Sequence, residues 1–394
     1  MSADRYAVVG GGIAGASVAY HLSERTDAEV VVFERNDDLL AETTARSGAF
    51  VGYWGDESPA RLRMLRDGLA LYNRFLDDPR TDLTYHRVGR LHVATTAAGA
   101  DAIRESFESR RRALRDDEPP TEVRSTYVAG DEFAETLLTP GLASDEIAGA
   151  LFSPDVGYVD PTAIAREFVA RARENGVRFE TSSPVEDVAV ADGRATGPVV
   201  DGEHVPADAT VCTAGPWTPR LLDGVGVDLP VRHSLGPVLV LDPERETRNS
   251  VPSFKHRETG YYVRQNVDGT VFVGHYPGAY DEMDGRHDPD AHDRVPDDLR
   301  AGARETLSRL FPRVADAPVR DEWVGVRSLT PDRDPIVGWT EVEDLSVAVF
   351  NASGVQLAPV AGRVIARQLV SGERTDYYPH VSVSRFEGYG DCTD

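Results

Sequence analysis

The chain has 394 residues, of which 41% are hydrophobic, so it is long enough for two domains with cores of ordinary size. It carries 66 acidic and 42 basic residues, and its net charge of −24 argues against nucleic acid as a partner. No run approaches the roughly 18 apolar residues that a membrane span needs, and the first residues lack a signal pattern. We therefore expect a cytoplasmic protein without a membrane span.

The basic residues are almost all arginine, because Lys255 is the only lysine in the sequence. A composition rich in carboxylates and poor in lysine resembles that of proteins from salt-loving organisms, in which counterions screen the repulsion between like charges. The sequence therefore predicts an acidic surface and a fold that salt stabilises. The two cysteines, Cys212 in an apolar run and Cys392 in the polar tail, suggest neither a disulfide framework nor a metal site.

The predicted elements begin with a βαβ unit. A strand at Arg5–Val9 breaks at three glycines, a helix follows over residues 13–24, and Glu29–Phe33 returns as a β-branched strand. Further helices are predicted over Pro59–Leu76, 97–114, 162–174 and the end of 347–370, with strands at Arg90–Ala94, 177–180, within 185–211, and at 236–241, 261–264 and 270–274. This order predicts an α/β fold with a Rossmann-type dinucleotide-binding domain and a second domain built on a mostly antiparallel sheet.

A glycine motif, Gly10-x-Gly12-x-x-Gly15, lies between the first strand and the first helix. One glycine makes the tight turn, one lets a phosphate approach the backbone, and one allows the helix to pack closely. Glu34, at the end of the second strand, is placed to hydrogen-bond ribose hydroxyls and disfavours a 2′-phosphate. A glycine turn that binds nothing is the alternative. The contacts predicted here are Gly10, Gly12, Ile13, Ala14, Gly15, Glu34 and Arg35.

The polar segment 42–48, Glu-Thr-Thr-Ala-Arg-Ser-Gly, follows the second strand after a short loop. Its hydroxyls, backbone amides and single guanidinium suit a pyrophosphate, although an ordinary polar loop has the same composition. The contacts predicted here are Thr43, Thr44, Arg46 and Ser47. The glycine motif by itself does not distinguish NAD from FAD.

Three further motifs lie in the second half of the chain. They are Thr213-Ala214-Gly215-Pro216-Trp217, the run 325–338 with sequence Gly-Val-Arg-Ser-Leu-Thr-Pro-Asp-Arg-Asp-Pro-Ile-Val-Gly, and the run 352–359 with sequence Ala-Ser-Gly-Val-Gln-Leu-Ala-Pro. In this order, and together with the glycine motif, they resemble the D-amino acid oxidase superfamily, which includes glycine and sarcosine oxidases and D-arginine dehydrogenase.

The resemblance implies a bound FAD. It divides the chain into a discontinuous FAD-binding domain (1–58, 150–232 and 320–375), a substrate-binding domain (59–149 and 233–319) and a C-terminal tail (376–394). It directs the start of the last helix at the flavin pyrimidine, where the positive helix end stabilises negative charge. Segment 42–47 has no histidine and segment 352–359 no cysteine, so the FAD is expected to be non-covalent. The contacts implied are Val185, Ala214, Gly215, Trp217, Gly325, Gly354, Val355, Gln356 and Leu357.

Two residues are predicted to bind the substrate. The arginine that matches Arg327 in the family grips the substrate carboxylate through two parallel charge-assisted hydrogen bonds. A structural ion pair with an acid is the alternative. Tyr262 resembles the tyrosine that binds the same carboxylate, and Tyr261 should face the other side of the strand; a core position for Tyr262 is the alternative. Weaker pocket candidates are Arg46, Tyr53, His233 and His275.

The resemblance implies oxidation of a small amino acid, which would be a D-amino acid, glycine or an N-methyl amino acid. A hydride passes from the α carbon to flavin N5, and the imine that forms hydrolyses in water. A dehydrogenase of a 2-hydroxy acid or of glycerol phosphate, or a non-catalytic FAD-binding assembly factor, is the alternative; a nicotinamide dehydrogenase ranks lowest.

The electron acceptor is oxygen or an electron carrier. Sarcosine oxidase relatives have a lysine near the flavin that assists oxygen, whereas segment 270–275 has none and Lys255 lies well upstream. The sequence therefore leaves both acceptors open.

Overall fold

The computed structural model describes residues 4–53, 58–116, 124–137, 139, 141–244, 253–276, 280–283, 285–286, 288–291 and 294–387. Cys392 and the end of the predicted C-terminal tail lie outside these residues. No helix in the described ranges has the length and apolar character to cross a membrane.

In this part of the chain the strands are, in order, β1 (Arg5–Val9), β2 (Glu29–Phe33), β3 (Phe50–Val51), β4 (His86–Arg87), β5 (Arg90–Ala94), β6 (Thr126–Ala129), β7 (Gly149–Ser153), β8 (Gly157–Tyr158), β9 (Arg178–Glu180), β10 (Val185–Ala191), β11 (Arg194–Val200), β12 (Glu203–His204), β13 (Ala209–Cys212), β14 (Arg232–Leu241), β15 (Ser253–His256), β16 (Tyr261–Gln265), β17 (Val271–His275), β18 (Val319–Leu329), β19 (Ile336–Trp339) and β20 (Leu345–Val349). The helices are α1 (Ile13–Ser23), α2 (Pro59–Leu76), α3 (Ala97–Asp116), α4 (Gly130–Thr136), α5 (Pro161–Glu174), α6 (Thr218–Asp223), α7 (Asp297–Leu310), α8 (Pro312–Ala315), α9 (Gly354–Ser371) and α10 (Tyr378–Val381).

The glycine turn belongs to a six-stranded sheet of order β19-β20-β13-β1-β2-β9. Its strands pair in parallel except for the edge strand β19, which runs antiparallel to β20. One face carries α1, α2, α5 and α9 over a core that includes Val8, Val32 and Phe168. The small antiparallel sheet β10-β11-β12 covers parts of the other face. Burial on both faces explains why these strands read as continuous apolar runs in the sequence.

The second large sheet has eight strands in the order β18-β14-β17-β16-β15-β5-β7-β6. Neighbouring strands are antiparallel except for the parallel pair β15 and β5. One face packs on α4, α7 and α8 through a core that includes Phe254 and Phe311. The opposite face carries Val238, Tyr262 and Phe272. Since side chains alternate along a strand, this second face is free to line a pocket.

Two helices begin directly after a residue whose side chain accepts hydrogen bonds from the first turn. The Asp160 carboxylate accepts hydrogen bonds from the backbone of Thr162 and Ala163, directly before Pro161 at the first position of α5. Ser58 occupies the same position before α2 and accepts from the backbone of Arg61. The predicted bounds of α2 and β5 agree with the structure, whereas α1 ends one residue earlier and α3 runs two residues further than predicted.

The α/β class, the Rossmann-type sheet and the mostly antiparallel second sheet are confirmed. Helix α3 exposes most of its length but buries Ala100, Ile103 and Phe107. Strands β7 and β18 lie at predicted domain boundaries and belong to the eight-stranded sheet, while α2 packs on α9. The division of the chain into domains stays a prediction.

Candidate active site

A cleft of about 1030 Å³ is lined both by the carboxyl ends of the six-stranded sheet and by the Tyr262 face of the eight-stranded sheet. Arg327 and Tyr262 line it. So do these predicted cofactor contacts: Gly10, Gly12, Ile13, Ala14, Glu34, Arg35, Thr43, Thr44, Arg46, Ser47, Val185, Ala214, Gly215, Trp217, Gly325, Gly354, Val355 and Gln356. Gly15 and Leu357 do not line the cleft. The structure therefore brings most of the predicted site residues to one cavity.

The glycine turn leaves no room for side chains at two positions. Gly10 has a φ of +104°, and a Cβ there would lie 2.8 Å from the carbonyl oxygen of Thr213. A Cβ on Gly15 would lie 2.0 Å from the carbonyl oxygen of Gly10. Gly15 thus allows α1 to pack against the end of β1, which is the role that the motif assigns to its last glycine.

The Glu34 carboxylate is held at the cleft wall by the backbone. Its Oε2 accepts from the amide of Gly11 at 2.8 Å, and its Oε1 accepts from the amide of Asn36 at 2.9 Å. Each carboxylate oxygen can accept a second hydrogen bond. The side chain is buried at the cleft wall, so a ligand in the cleft can supply the second donor, and a ribose hydroxyl suits it.

Arg35 and Trp217 form one wall of the cleft together with Asp290, which the sequence did not point to. The Arg35 guanidinium stacks on the Trp217 ring at 4.1 Å and pairs with Asp290 at 2.9 Å. The Trp217 indole also donates to Asp290 at 3.0 Å. The hydrogen bond from Arg35 holds the pKa of Asp290 below its usual value. The carboxylate therefore stays charged and keeps the two predicted contacts in place.

The polar segment 42–48 docks on the first turn of α1. Thr44 Oγ1 accepts from the backbone amide of Ile13 at 3.1 Å, and Arg46 pairs with Glu42 at 3.2 Å. The start of a helix and a nearby guanidinium are groups that bind phosphates, so this part of the cleft suits a pyrophosphate.

The start of α9 forms another wall. Arg61 holds the loop before it, because its guanidinium donates to Ser353 Oγ at 2.7 Å, to the carbonyl oxygen of Arg333 at 2.9 Å and to Asp334 Oδ1 at 3.2 Å. Gln356 Oε1 is buried and has no hydrogen-bond partner among the described residues. The positive end of a helix and an unsatisfied amide oxygen fit the polar edge of a flavin. The cleft therefore fits FAD along its length.

Arg327 on β18 and Tyr262 on β16 meet over two strands that carry glycine. A Cβ on Gly236 would lie 3.0 Å from Arg327 Cζ, and a Cβ on Gly274 would lie 2.3 Å from Tyr262 Cζ. The Arg327 guanidinium donates to the carbonyl oxygen of His275 at 2.5 Å and lies 3.5 Å from the Tyr262 hydroxyl. The two glycines let these side chains lie flat on the sheet at the cleft surface.

The surroundings of Arg327 bear on the alternative of a structural ion pair. In the described ranges its contacts are a carbonyl, the Tyr262 hydroxyl and the ring of Tyr276, and none is a carboxylate. Tyr261 faces the opposite side, where its hydroxyl donates to the carbonyl oxygen of Leu299 at 2.6 Å. This arrangement leaves the guanidinium edge that faces the cleft for an anion.

Of the weaker candidates, Arg46 lines the cleft. Tyr53 packs against the core of the six-stranded sheet, and His233 is buried in β14. The ring of His275 shares a hydrogen bond with the carbonyl oxygen of Thr259 at 3.0 Å, and burial lowers its pKa. The backbone carbonyl of His275 accepts the hydrogen bond from Arg327.

Lys255 and Arg90 line the cleft, although the sequence pointed to neither. Lys255 pairs with Tyr262 in the β15–β16 register, and its Nζ lies 4.8 Å from the centre of the Tyr276 ring. Lys255 lies well upstream of segment 270–275 in the sequence, and strand pairing brings it to the cleft wall. Side chains alternate along a strand, and Phe254 is buried in the core on one face of β15. This alternation could have indicated that Lys255 faces the cleft.

Residues 5–368 match the family described as "DAO: FAD dependent oxidoreductase". The chain belongs to this family of flavin-dependent oxidoreductases, and FAD is the cofactor that the family implies.

Among curated proteins the chain resembles 4-methylaminobutanoate oxidase (formaldehyde-forming) of Paenarthrobacter nicotinovorans, with 27% identity over 98% of this chain and 46% of the relative. The chain thus spans about half the length of that relative. Among solved structures it resembles iminodiacetate oxidase from Chelativorans sp. BNC1, with 26% identity, a TM-score of 0.75 and coverage of 96% of this chain and 98% of the other. L-proline dehydrogenase from P. horikoshii, 18% identical with a TM-score of 0.83 over 98% and 99% of the two chains, shares the fold.

Proposed function

We propose that the protein oxidises the amine-bearing carbon of a small amino acid, which is a D-amino acid, glycine or an N-methyl amino acid. The observation that carries this proposal is the pair Arg327 and Tyr262, which lie side by side over Gly236 and Gly274 in a cleft that fits FAD. The acceptor of the electrons is oxygen or an electron carrier, and the location is cytoplasmic.

The pair is suited to a carboxylate. A planar guanidinium offers two parallel donors, and a neighbouring phenol adds a third. The carbonyl of His275 occupies one donor of Arg327, which fixes the plane of the guanidinium against the sheet. A carboxylate bound there is held in one orientation, so the carbon that bears the amine has a fixed position in the cleft.

The remaining chemistry depends on the cofactor and its surroundings. FAD, when bound, would supply the acceptor for the hydride of the α carbon, and the imine product would hydrolyse in water. The start of α9 places the positive end of a helix at the cleft wall, where it stabilises negative charge. Because segment 42–47 contains no histidine and segment 352–359 no cysteine, we propose that FAD binds without a covalent link.

The names of two relatives favour one substrate class among the three. 4-Methylaminobutanoate and iminodiacetate are both secondary amines that carry a carboxylate. An N-substituted amino acid is therefore the first class to test.

The test is anaerobic titration of the flavin-loaded protein with D-, L- and N-methyl amino acids while the visible absorbance of the flavin is recorded. We expect at least one amine to bleach the flavin, and re-aeration shows whether oxygen restores the colour. Bleaching by 2-hydroxy acids or glycerol phosphate but by no amine would assign the alternative substrates. Bleaching by dithionite alone would indicate a protein without this chemistry.

A further inference from the structure

We propose that Lys255 and Arg90 form a second anion subsite in the cleft, so that the preferred substrates are amino acids with a second carboxylate. This inference rests on the proposed function, because it describes the far end of the same substrate.

The subsite is built on the parallel pair of strands in the second sheet. In the β15–β5 register, Ser253 lies opposite Arg90 and Lys255 opposite His92. The side chains of Lys255 and Arg90 both line the cleft. Arg90 Cζ lies 4.4 Å from the Phe50 ring centre and 5.9 Å from that of Tyr262. The aromatic contacts hold the guanidinium on the wall that also carries the carboxylate-binding tyrosine.

The distance to the first carboxylate site is short. Lys255 Nζ lies 4.8 Å from the centre of the Tyr276 ring, and Arg327 Cζ lies 5.1 Å from the same centre. The two cations are therefore no more than about 10 Å apart. A small amino acid whose two carboxylates are separated by a few atoms can place one carboxylate on Arg327 and the other on Lys255.

The charges of Lys255 and Arg90 both reach the side chain of His92. The pKa of His92 is lowered to about 3, first by burial and then by the charges of Lys255 and Arg90. The sole lysine of a chain with net charge −24 thus lines the same cleft as Arg90 and Arg327. This concentration of positive charge favours a dianionic substrate over a monoanionic one.

The test compares substrates that differ only in the second carboxylate: D-glutamate with D-glutamine, and iminodiacetate with N-methylglycine. For pairs in which the flavin is bleached, we expect kcat/KM to favour the dicarboxylic member by about 10- to 100-fold, the range for hydrogen bonds to charged groups. Lys255→Met and Arg90→Met should each lower that ratio by about 10-fold, and Lys255→Arg should keep most of it. Flavin content and melting temperature show that each variant is folded.

Arg320→Gln is the matched control. Arg320 lies on β18, pairs with Asp268 and is exposed, so this variant loses one positive charge without touching the cleft. The ratio should stay at its wild-type value. A wild-type ratio near one, or a ratio that neither cleft variant changes, would overturn the subsite. So would a Lys255→Met variant in which only flavin reoxidation slows, because the lysine would then act on the electron acceptor.

A binding measurement separates the subsite from the proposed function. Glutarate and butanoate cannot be oxidised as amines, and their binding is read from the shift of the flavin spectrum. We expect wild-type protein to bind glutarate more tightly than butanoate, and Lys255→Met to reduce the difference. If this holds and no amine bleaches the flavin, the subsite stands and the proposed function fails. If amines bleach the flavin and glutarate has no advantage, the subsite fails and the proposed function stands.

Discussion

Arg327 reaches from β18 across Gly236 to the carbonyl of His275 on β17, so its guanidinium is oriented before any substrate arrives. Replacement by alanine removes the guanidinium from the cleft wall. We expect Arg327→Ala to raise KM for the best amino acid by at least about 10- to 100-fold, since the loss of a single hydrogen bond to a charged group costs about 1.5 to 3 kcal/mol. Steady-state kinetics measure KM, and the visible absorbance shows that FAD is retained.

Two further variants sharpen this prediction. Arg327→Lys keeps the charge but loses the planar pair of donors, so its KM should stay well above that of the wild type. Arg320→Ala, on the same strand but exposed, should leave KM as it is. An unchanged KM in Arg327→Ala would remove this residue from the substrate site.

The buried His21 on α1 makes the free energy of unfolding depend on pH. It is 5% exposed, and burial lowers its pKa to about 3 from an ordinary value of 6.5. Between these two values the unfolded chain binds a proton at this position and the folded chain does not. The free energy of unfolding therefore falls as the pH drops below 6.5, by at most about 1.4 kcal/mol per pH unit from this residue.

We expect the variant His21→Asn to lose stability less steeply between pH 6.5 and 5 than the wild type does, as measured by urea unfolding at each pH. The exposed His204 provides the control, since His204→Asn should keep the wild-type slope. Equal slopes in the wild type and His21→Asn would show that the imidazole is not held neutral in the core.

Helix α9 contains a proline whose effect is compensated from another helix. Pro359 lacks the amide that would donate to the carbonyl of Val355, and the Tyr72 hydroxyl on α2 donates to that carbonyl instead. Tyr72 is fully buried. Tyr72→Phe would leave the carbonyl without a donor, so we expect a loss of about 1 to 3 kcal/mol in the free energy of unfolding, measured with urea.

A double-mutant cycle tests whether the proline is the reason. Pro359→Ala restores the missing amide, so Tyr72→Phe should cost less in that background than in the wild type. Equal costs in both backgrounds would mean that Tyr72 stabilises the protein only through packing. The start of α9 lines the cleft, so flavin affinity provides a second measurement in the same four proteins.

The sequence predicts those parts of the fold that depend on neighbouring residues. The strand β1, the glycine turn and α1 are contiguous, and so are the apolar faces of α2 and α5; their positions follow from periodicity and helix caps. The same holds for the residues of the glycine motif and of the start of α9 that line the cleft. These were predicted because each motif is local.

The substrate end of the cleft depends on strand pairing, which the sequence does not specify. Lys255 reaches the site because β15 pairs with β16 on one side and with the distant β5 on the other. Gly236 and Gly274 become significant only when β14 and β17 lie between Arg327 and Tyr262. Neither glycine belongs to a local motif, and the same is true of Arg90. A resemblance to a family could therefore indicate Arg327 and Tyr262 but not the residues around them.

The charge of the whole molecule is distributed unevenly. The chain has 24 more acidic than basic residues, yet basic residues outnumber carboxylates among those that line the cleft. Many described ion pairs are exposed arginine–carboxylate pairs, such as Arg104 with Asp101 and Arg320 with Asp268. Exposed pairs contribute little to stability, so they do not offset the repulsion among the excess carboxylates. The folded state therefore has a net electrostatic cost that depends on ionic strength.

Salt should reduce this cost. The Debye length shrinks from about 10 Å in 0.1 M salt to about 3 Å in 1 M salt, so carboxylates that repel one another in dilute buffer become screened. We expect the melting temperature to rise on the order of 5 °C between dilute buffer and molar KCl. Sucrose at equal osmolality is the control, because it is excluded from the surface without screening charge. A melting temperature that does not rise in KCl, or that rises equally in sucrose, would show that the excess carboxylates do not limit stability.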